Sequence, residues 1–180
     1  PNWTHIYYTT TPLGIPLVNV NVYEGDTLLG LGQSPRPSER FWDRLSSEFR
    51  KTPANGYTAS RIVDPDFFTQ TEDDYWKGSF VYHYASSDIV YAGTLISYFG
   101  SVHKISFGEL TEGINPDKDR YAVANHFDLI TQPGDYYYDE LNSKIYLWPL
   151  SIASLEDSSI RISKKGRAFY ISGKDYITIE

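Results

Sequence analysis

The stretch PGDYYYDELNSKIYLWPL at residues 133–150 contains the clearest secondary-structure signal in this 180-residue chain. Pro-Gly-Asp at 133–135 is typical of a turn, and the aromatic and β-branched residues that follow it favour extended strands. The spacing predicts a β-hairpin in which Tyr136–Asp139 pairs with Lys144–Trp148 across the turn ELNS. Because successive side chains of a strand alternate between its faces, at least one of the three consecutive tyrosines points outward.

The composition of the whole chain agrees with a fold made of short strands. There are 16 Tyr, 9 Phe and 4 Trp among 13 Gly and 10 Pro, a mixture that suits strands and turns better than helices. Leu17–Tyr23 alternates strictly, EGDT at 24–27 predicts a hairpin turn, and Leu28–Leu31 is the expected second strand. The chain is therefore predicted to be all-β, as an antiparallel β-sandwich or barrel-like domain.

A series of further β-rich runs lies between turn clusters such as DPD at 64–66 and Gly100-Ser101. In one of these runs large side chains occupy both faces, which predicts a central strand: Phe80, Tyr82 and Tyr84 share one face, and Val81 and His83 the other. The runs are Tyr57–Val63, Ser79–Ala85, Ile89–Tyr91, Thr94–Phe99, His103–Phe107 and Tyr121–Ile130.

A Pro-rich insertion at 34–56 interrupts the β pattern. Within it Trp42, Leu45 and Phe49 recur at helical spacing in SERFWDRLSSEFRK, residues 38–51, whose last turn would contain Arg50 and Lys51. A short surface helix fits this pattern, and so does an irregular Pro-rich loop.

Charge and composition exclude several classes of function. Asp and Glu outnumber Lys and Arg by 23 to 16, and a net charge of −7 disfavours binding to nucleic acid. No apolar run approaches the ~20 residues that a membrane-spanning helix needs, so no membrane span is predicted. The chain has no Cys, hence no disulfide, thiolate metal site or Cys nucleophile, and it begins at Pro1 without a leader, as expected of a mature or trimmed product.

The sequence nominates no catalytic residues and no resident cofactor. Four histidines are present, at positions 5, 83, 103 and 126, and none lies at a metal-binding spacing. Three acidic loops have oxygen ligands that would suit Ca²⁺, although such turns are more often simply solvated. They contain Asp64 with Asp66, Glu72 with Asp73 and Asp74, and Asp117 with Asp119.

Flat aromatic side chains next to polar turns are the more suggestive feature. The C–H face of a sugar ring stacks on such side chains while its hydroxyls bind neighbouring polar groups. The candidate carbohydrate-binding residues are Trp42, Tyr75, Trp76, Tyr137 and Trp148. The alternative for each of them is a place in the core or in a cross-strand pair.

Four stretches resemble, in order, segments of bacterial right-handed parallel β-helix proteins that act on polysaccharides. The hairpin stretch at 133–150, preceded by Asn125-His126 and Leu129, resembles their N-H-x-x-L…P-G-E-W-Y-Y-D…L-Y-L-x-P segment. GDTLLGLGQSPRP at 25–37 resembles G-x-x-L-x-x-A-R-x-P-N, and DDYWKGSFVYHY at 73–84 resembles D-x-W-x-G-A-x-V. RAFYISGKDYITIE at 167–180 resembles the entry into the first rungs. Departures are Gly134-Asp135-Tyr136 for Gly-Glu-Trp, Gln33-Ser34 at the Ala-Arg position, and the long insertion.

The resemblance implies an accessory β-domain over residues 1–158 and the start of β-helix rungs over 159–180. It implies a non-catalytic capping role in a secreted bacterial-type protein, extracellular or periplasmic, that is a polysaccharide lyase or glycoside hydrolase. The implied partners are a polysaccharide or oligosaccharide and the downstream β-helix domain. The family's catalytic residues lie on later rungs, so none is carried over to this chain. The alternatives are a free-standing glycan-binding module, a phage tail-spike or adhesin domain, or a purely structural domain.

Overall fold

The computed structural model describes residues 3–10, 20–36, 49–53, 55–84, 90–108, 119–152, 155 and 160–163. Within these ranges the regular structure is β, apart from the helical residue Leu155 and single 3-10 turns at Trp3–His5, Gly100–Val102 and Phe127–Leu129. The prediction of an all-β chain with antiparallel sheets is therefore confirmed. The strands are β1 (Tyr7–Thr10), β2 (Val22–Glu24), β3 (Thr27–Leu28), β4 (Gly30–Leu31), β5 (Gln33–Ser34), β6 (Arg50–Lys51), β7 (Arg61–Val63), β8 (Phe80–Tyr84), β9 (Val90–Phe99), β10 (Lys104–Phe107), β11 (Arg120–Ala124), β12 (Asp135–Asp139), β13 (Lys144–Leu147) and β14 (Ile160–Ile162).

The predicted hairpin forms the centre of a four-stranded sheet, here called the hairpin sheet, with strand order β1-β13-β12-β4. Asp139 lies opposite Lys144 and Tyr137 opposite Tyr146, which is the register expected from the turn at 140–143. β1 adds antiparallel to β13, and β4 adds parallel to β12. The hairpin prediction is confirmed, and the two outer strands come from much earlier in the chain.

A seven-stranded sheet, the main sheet, has the order β5-β11-β8-β9-β10-β7, with β6 also paired to β11. β8 lies between β11 and β9, which confirms the prediction that it is central. One face of the main sheet covers the larger core, and the loop between β7 and β8 adds Phe68 and Trp76 to it. The strand residues of this core are Ile62, Val81, Leu95, Tyr98, Ile105, Phe107, Tyr121 and Val123.

The third sheet is small and contains the predicted turn at 24–27. β2 and β3 pair across Gly25 and Asp26, and β14 pairs antiparallel with the other side of β2. Its residues join the inner face of the hairpin sheet in a second core, to which Phe80 contributes from β8. The buried members of this core are Val20, Val22, Leu29, Tyr136, Tyr138, Ile145 and Leu147.

Several expectations from the sequence need correction. The strand expected at Leu28–Leu31 is divided between β3 in the third sheet and β4 in the hairpin sheet. Arg50 and Lys51, expected in the last turn of a helix, form β6 instead. β6 pairs with the first residues of β11 and β5 pairs with its last residues, so β6 provides backbone partners for the part of β11 that β5 does not reach. The strands expected at Ile89–Tyr91 and Thr94–Phe99 form a single strand, β9, whose Gly93 lies against Phe107 and does not end it. The strand expected at Tyr121–Ile130 ends at Ala124, because Asn125 has a φ of 60° and starts a turn. The rest of the predicted helix, residues 38–48, lies outside the described residues.

Candidate carbohydrate-contact site

Three tyrosines lie side by side across the outer face of the hairpin sheet, on β1, β13 and β12. Tyr8 is paired with Tyr146, and Tyr146 with Tyr137. Neighbouring ring centroids are 5.7 Å apart in both pairs, with interplanar angles of 38° for Tyr8 and Tyr146 and 18° for Tyr146 and Tyr137. Tyr8 is 64% exposed, and the other two are half-buried. We call these three residues the tyrosine row.

Strand alternation explains why Tyr137 faces outward. Its neighbours Tyr136 and Tyr138 are buried in the second core, where the Tyr136 hydroxyl donates to the carbonyl of Val20 at 3.0 Å. Ile145 on β13 is buried in the same way, and its neighbour Tyr146 faces outward with Tyr137. Core packing on one face of the hairpin thus presents aromatic rings on the other.

Phe127 packs against the two tyrosines of the hairpin, Tyr146 and Tyr137. Its ring meets Tyr146 at 5.3 Å and Tyr137 at 6.3 Å, edge to face in both cases. The 3-10 turn Phe127–Leu129 places it there, and Leu129 of the same turn is buried in the larger core. Phe127 is therefore held by an element that is itself anchored in the protein.

The same 3-10 turn also contacts Tyr75. The Tyr75 hydroxyl donates to a carboxylate oxygen of Asp128, the residue after Phe127. His126 packs on the Tyr75 ring at 4.8 Å, and its Nε2 donates to the Tyr75 carbonyl at 2.9 Å. The other ring nitrogen of His126 accepts from the backbone N–H of Asp128 at 3.3 Å, so the ring is neutral in this arrangement. Burial lowers the pKa of His126 to about 4, in agreement with that protonation state.

Charged side chains border the tyrosine row. Lys144 places its ammonium 5.0 Å from the centre of the Tyr8 ring. Asp139 is half-buried and accepts from the side-chain and backbone N–H groups of Asn142 at 2.8 and 3.0 Å. Burial raises the pKa of Tyr137 to about 12, and the negative charge of Asp139 adds to that shift. An aromatic surface with a polar border is the arrangement that sugar rings require.

The structure separates the five sequence candidates. Tyr137 belongs to the tyrosine row, and Tyr75 contacts Asp128, the residue that follows Phe127. Trp76 is 4% exposed in the larger core, where its indole N–H donates to Gln70 at 2.9 Å, so its ring has no free face. Trp148, half-buried after β13, stacks on the ring of His5 at 5.0 Å. Trp42 lies outside the described residues.

Carboxylates of two acidic loops are used inside the protein. Asp64 accepts two hydrogen bonds from Arg50, both at 2.8 Å, and one from the Tyr121 hydroxyl at 2.7 Å. Burial by itself would raise the pKa of Asp64, but the hydrogen bonds from Arg50 and Tyr121 outweigh it and keep that pKa below its usual value. Asp73 and Asp74 accept from the backbone N–H groups of Gly100 and Tyr98.

The third acidic loop is only partly described. Asp119 is buried 3.0 Å from His83 Nε2, whereas Asp117 lies outside the described residues. Burial lowers the pKa of His83, and the charge of Asp119 opposes that shift. Within the described ranges no three His, Asp or Glu side chains are grouped as a metal site would need. The absence of a resident cofactor, with Ca²⁺ at the acidic loops as the alternative, therefore stays a prediction from the sequence.

Sequence reasoning missed Tyr8, Tyr146, Phe127 and Asp128. The hairpin register already implies Tyr146, because a pair at Asp139 and Lys144 places Tyr137 opposite Tyr146. Tyr8 left no such signal, because β1 joins the hairpin from more than a hundred residues away. Phe127 and Asp128 required knowledge that the chain turns after Ala124.

Comparisons with known proteins give one structural relative. No protein-family model matches the chain, and no curated protein matches it either. Among solved structures the fold is similar to a protein described as a glycoside hydrolase, with a TM-score of 0.61 and 9% identity. The match covers 88% of this chain and 28% of that one, so the chain corresponds to less than a third of the hydrolase. At this identity the similarity concerns the fold. In the described part of the chain no helix is long and apolar enough to span a membrane.

Proposed function

We propose that this chain is an accessory β-domain of a carbohydrate-active protein and that the tyrosine row contacts a polysaccharide or oligosaccharide. The observation that carries the proposal is the row itself, three outward tyrosines on adjacent strands with Phe127 packed against two of them. The similarity of the fold to part of a glycoside hydrolase supports a carbohydrate-related function.

The chemistry of the row suits a sugar chain. The C–H faces of sugar rings pack on tyrosine rings, and desolvation of both surfaces favours the contact. The hydroxyls at the edges of the sugars find acceptors in Asp128 and Asp139 and a donor in Lys144. Because the three rings belong to one sheet with a packed inner face, little ordering is needed on binding.

We further propose that residues 159–180 begin the rungs of a right-handed parallel β-helix and that residues 1–158 cap it. In that arrangement the lyase or hydrolase chemistry belongs to later rungs, and the protein is secreted to the periplasm or the exterior. The described part of this segment, Ile160–Ile162 and Ser163, is attached to the small sheet through β2. The chain by itself is then expected to release neither reducing ends nor unsaturated uronates from polysaccharides, and either product would contradict the non-catalytic role.

Binding measurements on paired variants test the contact site. In affinity electrophoresis against a panel of polysaccharides, Tyr8→Ala and Tyr146→Ala should each weaken retardation about tenfold, the loss expected for one aromatic contact of ~1.4 kcal/mol. Tyr7→Ala is the matched control, because Tyr7 is the next residue of β1 and points to the opposite face. Equal losses in Tyr7→Ala and Tyr8→Ala would contradict the tyrosine row as the site.

All three tyrosines of the row, and the Phe127 that packs on them, belong to this chain. This favours a second candidate, a free-standing glycan-binding module. Such a module binds its glycan equally well with and without a downstream domain, whereas a capping domain that borders a groove gains affinity when the β-helix is attached. Comparing the affinity of this chain with that of a longer chain containing further rungs separates the two. Absence of binding by both chains would favour a structural domain of the phage tail-spike or adhesin type.

A further inference from the structure

The border of the tyrosine row carries more acidic than basic side chains. Asp128 is exposed beside Phe127, and Glu140 is exposed in the hairpin turn next to the half-buried Asp139. Two basic side chains belong to the segments that carry these aromatic residues. Lys144 faces Tyr8, and Lys77, two residues after Tyr75, is held by Asp74 at 2.8 Å.

One carboxylate of this border is positioned for a ligand hydroxyl. One oxygen of Asp128 accepts from the Tyr75 hydroxyl, and its other oxygen accepts no hydrogen bond from the described residues. Tyr75 is itself held, because His126 packs on its ring and donates to its carbonyl. Asp128 is thus an oriented acceptor in the 3-10 turn that holds Phe127 against the tyrosine row.

We propose that the tyrosine row selects uncharged glycans and disfavours polymers of uronic acids. This inference rests on the proposed function and specifies its ligand class. A neutral sugar donates its hydroxyls to Asp128 and Asp139, and such bonds to charged acceptors are stronger than neutral ones. A uronate brings a carboxylate of its own toward these two, and like charges at short range repel.

The raised pKa of Tyr137 agrees with a negative electrostatic potential at its ring. After burial, the next cause that raises the pKa of Tyr137 is the negative charge of Asp139, which opposes formation of a phenolate there. The same charge opposes an anionic ligand on that ring. The net charge of −7 adds a weaker repulsion of the same sign over the rest of the surface.

A panel of probes tests the selectivity. The chain is run in native gels containing xylan, glucomannan, galactan, polygalacturonate or alginate at low ionic strength. We expect at least one of the three neutral polymers to retard it and neither acidic polymer to do so. Retardation by an acidic polymer as strong as that by the best neutral one overturns the selectivity and leaves the proposed function standing. Retardation by none of the five polymers overturns both.

Charge variants then locate the effect. Asp128→Asn should weaken binding of the best neutral polymer by about tenfold and should increase retardation by polygalacturonate. Asp26→Asn is the matched control, because it removes the same charge from the exposed β2–β3 turn. Thermal melting of both variants verifies that they are folded.

Ionic strength provides a second readout. Salt screens charge repulsion, so raising it should reduce the difference between neutral and acidic polymers for the wild-type chain. Identical behaviour of Asp128→Asn and Asp26→Asn, or a salt-independent preference, would overturn the role of the Asp128 carboxylate.

Discussion

Asn125 joins the hairpin sheet to the main sheet through its side chain. Its Nδ2 donates to the carbonyl of Tyr138 at 3.0 Å, and its Oδ1 accepts from the N–H of Tyr138 at 2.9 Å. The residue is buried and has a φ of 60°, a left-handed conformation that Asn tolerates better than most residues. One amide side chain therefore satisfies two buried backbone groups of a neighbouring strand.

Substitution of Asn125 should destabilise the fold. Asn125→Ala leaves the N–H and C=O of Tyr138 without their partner, and the free energy of unfolding should fall by about 2 to 4 kcal/mol. Asn125→Gly loses the same bonds but accepts the positive φ, so it should be less destabilised than Asn125→Ala. Denaturant unfolding measures both. Asn142→Ala, at an exposed turn position, is the control and should change the stability by less than about 1 kcal/mol. An equal effect of all three variants would contradict the bridging role.

His126 should make the stability of the protein depend on pH. Its pKa is lowered to about 4 by burial, from an ordinary value of 6.5, so the unfolded chain binds a proton that the folded chain excludes between these values. Stability should therefore be lost as the pH falls from about 6.5 to about 4, by up to ~3 kcal/mol. The lowered pKa of the buried His83 acts in the same direction.

The variant His126→Gln isolates this contribution. Unfolding free energies measured between pH 4 and pH 7 should decline less steeply toward acid in His126→Gln than in the wild-type chain. His5→Gln, which replaces an exposed histidine, is the control for loss of an imidazole at the surface. If the unfolding free energy of His126→Gln declined toward acid as steeply as that of the wild-type chain, the acid sensitivity would arise elsewhere.

At the scale of elements, the β12–β13 hairpin contains a local strain in its turn. Ser143 precedes β13 and has a φ of 52°, a conformation that costs a residue with a side chain roughly 1 kcal/mol or more. The turn is held by Asp139, which accepts from Asn142. The hairpin register that places Tyr137 opposite Tyr146 therefore relies partly on an unfavourable backbone position.

Ser143→Gly should relieve this strain and raise the melting temperature by a few degrees, partly offset by the greater freedom of Gly in the unfolded chain. Ser143→Val should lower it, because a β-branched residue is least compatible with positive φ. Calorimetry on the two variants measures these changes in melting temperature, which should have opposite signs. A stabilising effect of Val would contradict the conformation of this turn.

β6, within the Pro-rich insertion, shows how a tertiary contact overrides a local pattern. Arg50 has helical spacing around it, yet it pairs in β6 with β11 and forms two hydrogen bonds to Asp64. The bonds to Asp64 hold the loop between β7 and β8, which carries Phe68 and Trp76 into the larger core. A helix ending at Lys51 would lose both the edge pairing with β11 and the partly buried ion pair with Asp64.

At the scale of the whole molecule, the acidic loops and the net charge of −7 raise the question of Ca²⁺. We expect equal melting temperatures in EDTA and in about 1 mM CaCl₂, because the carboxylates of Asp64, Asp73 and Asp74 already accept hydrogen bonds from the protein. Differential scanning calorimetry in the two buffers, with MgCl₂ as the control, measures this. A melting temperature that is higher in Ca²⁺ but not in Mg²⁺ would establish a site. Asp117→Asn would then test the third acidic loop, which is only partly described.

The local features of this protein follow from its sequence alone. Period-two alternation and turn residues were enough for the all-β class, the hairpin at 133–150, the turn at 24–27 and the central position of β8. They also implied that one of three consecutive tyrosines faces outward, and Tyr137 does. These features depend on neighbours within a few residues, and alternation and turn preference act at that range.

The distant segments that complete the candidate site could be identified only from the three-dimensional structure. β1 brings Tyr8 to β13, and the turn after Asn125 brings Phe127 to the row and Asp128 to Tyr75. The same non-local packing buries Trp76, which the sequence could not distinguish from an exposed aromatic. Strand pairing and core burial depend on the free energy of the whole chain. The alternation of residues within one strand indicates only which side chains share a face, and not what that face packs against.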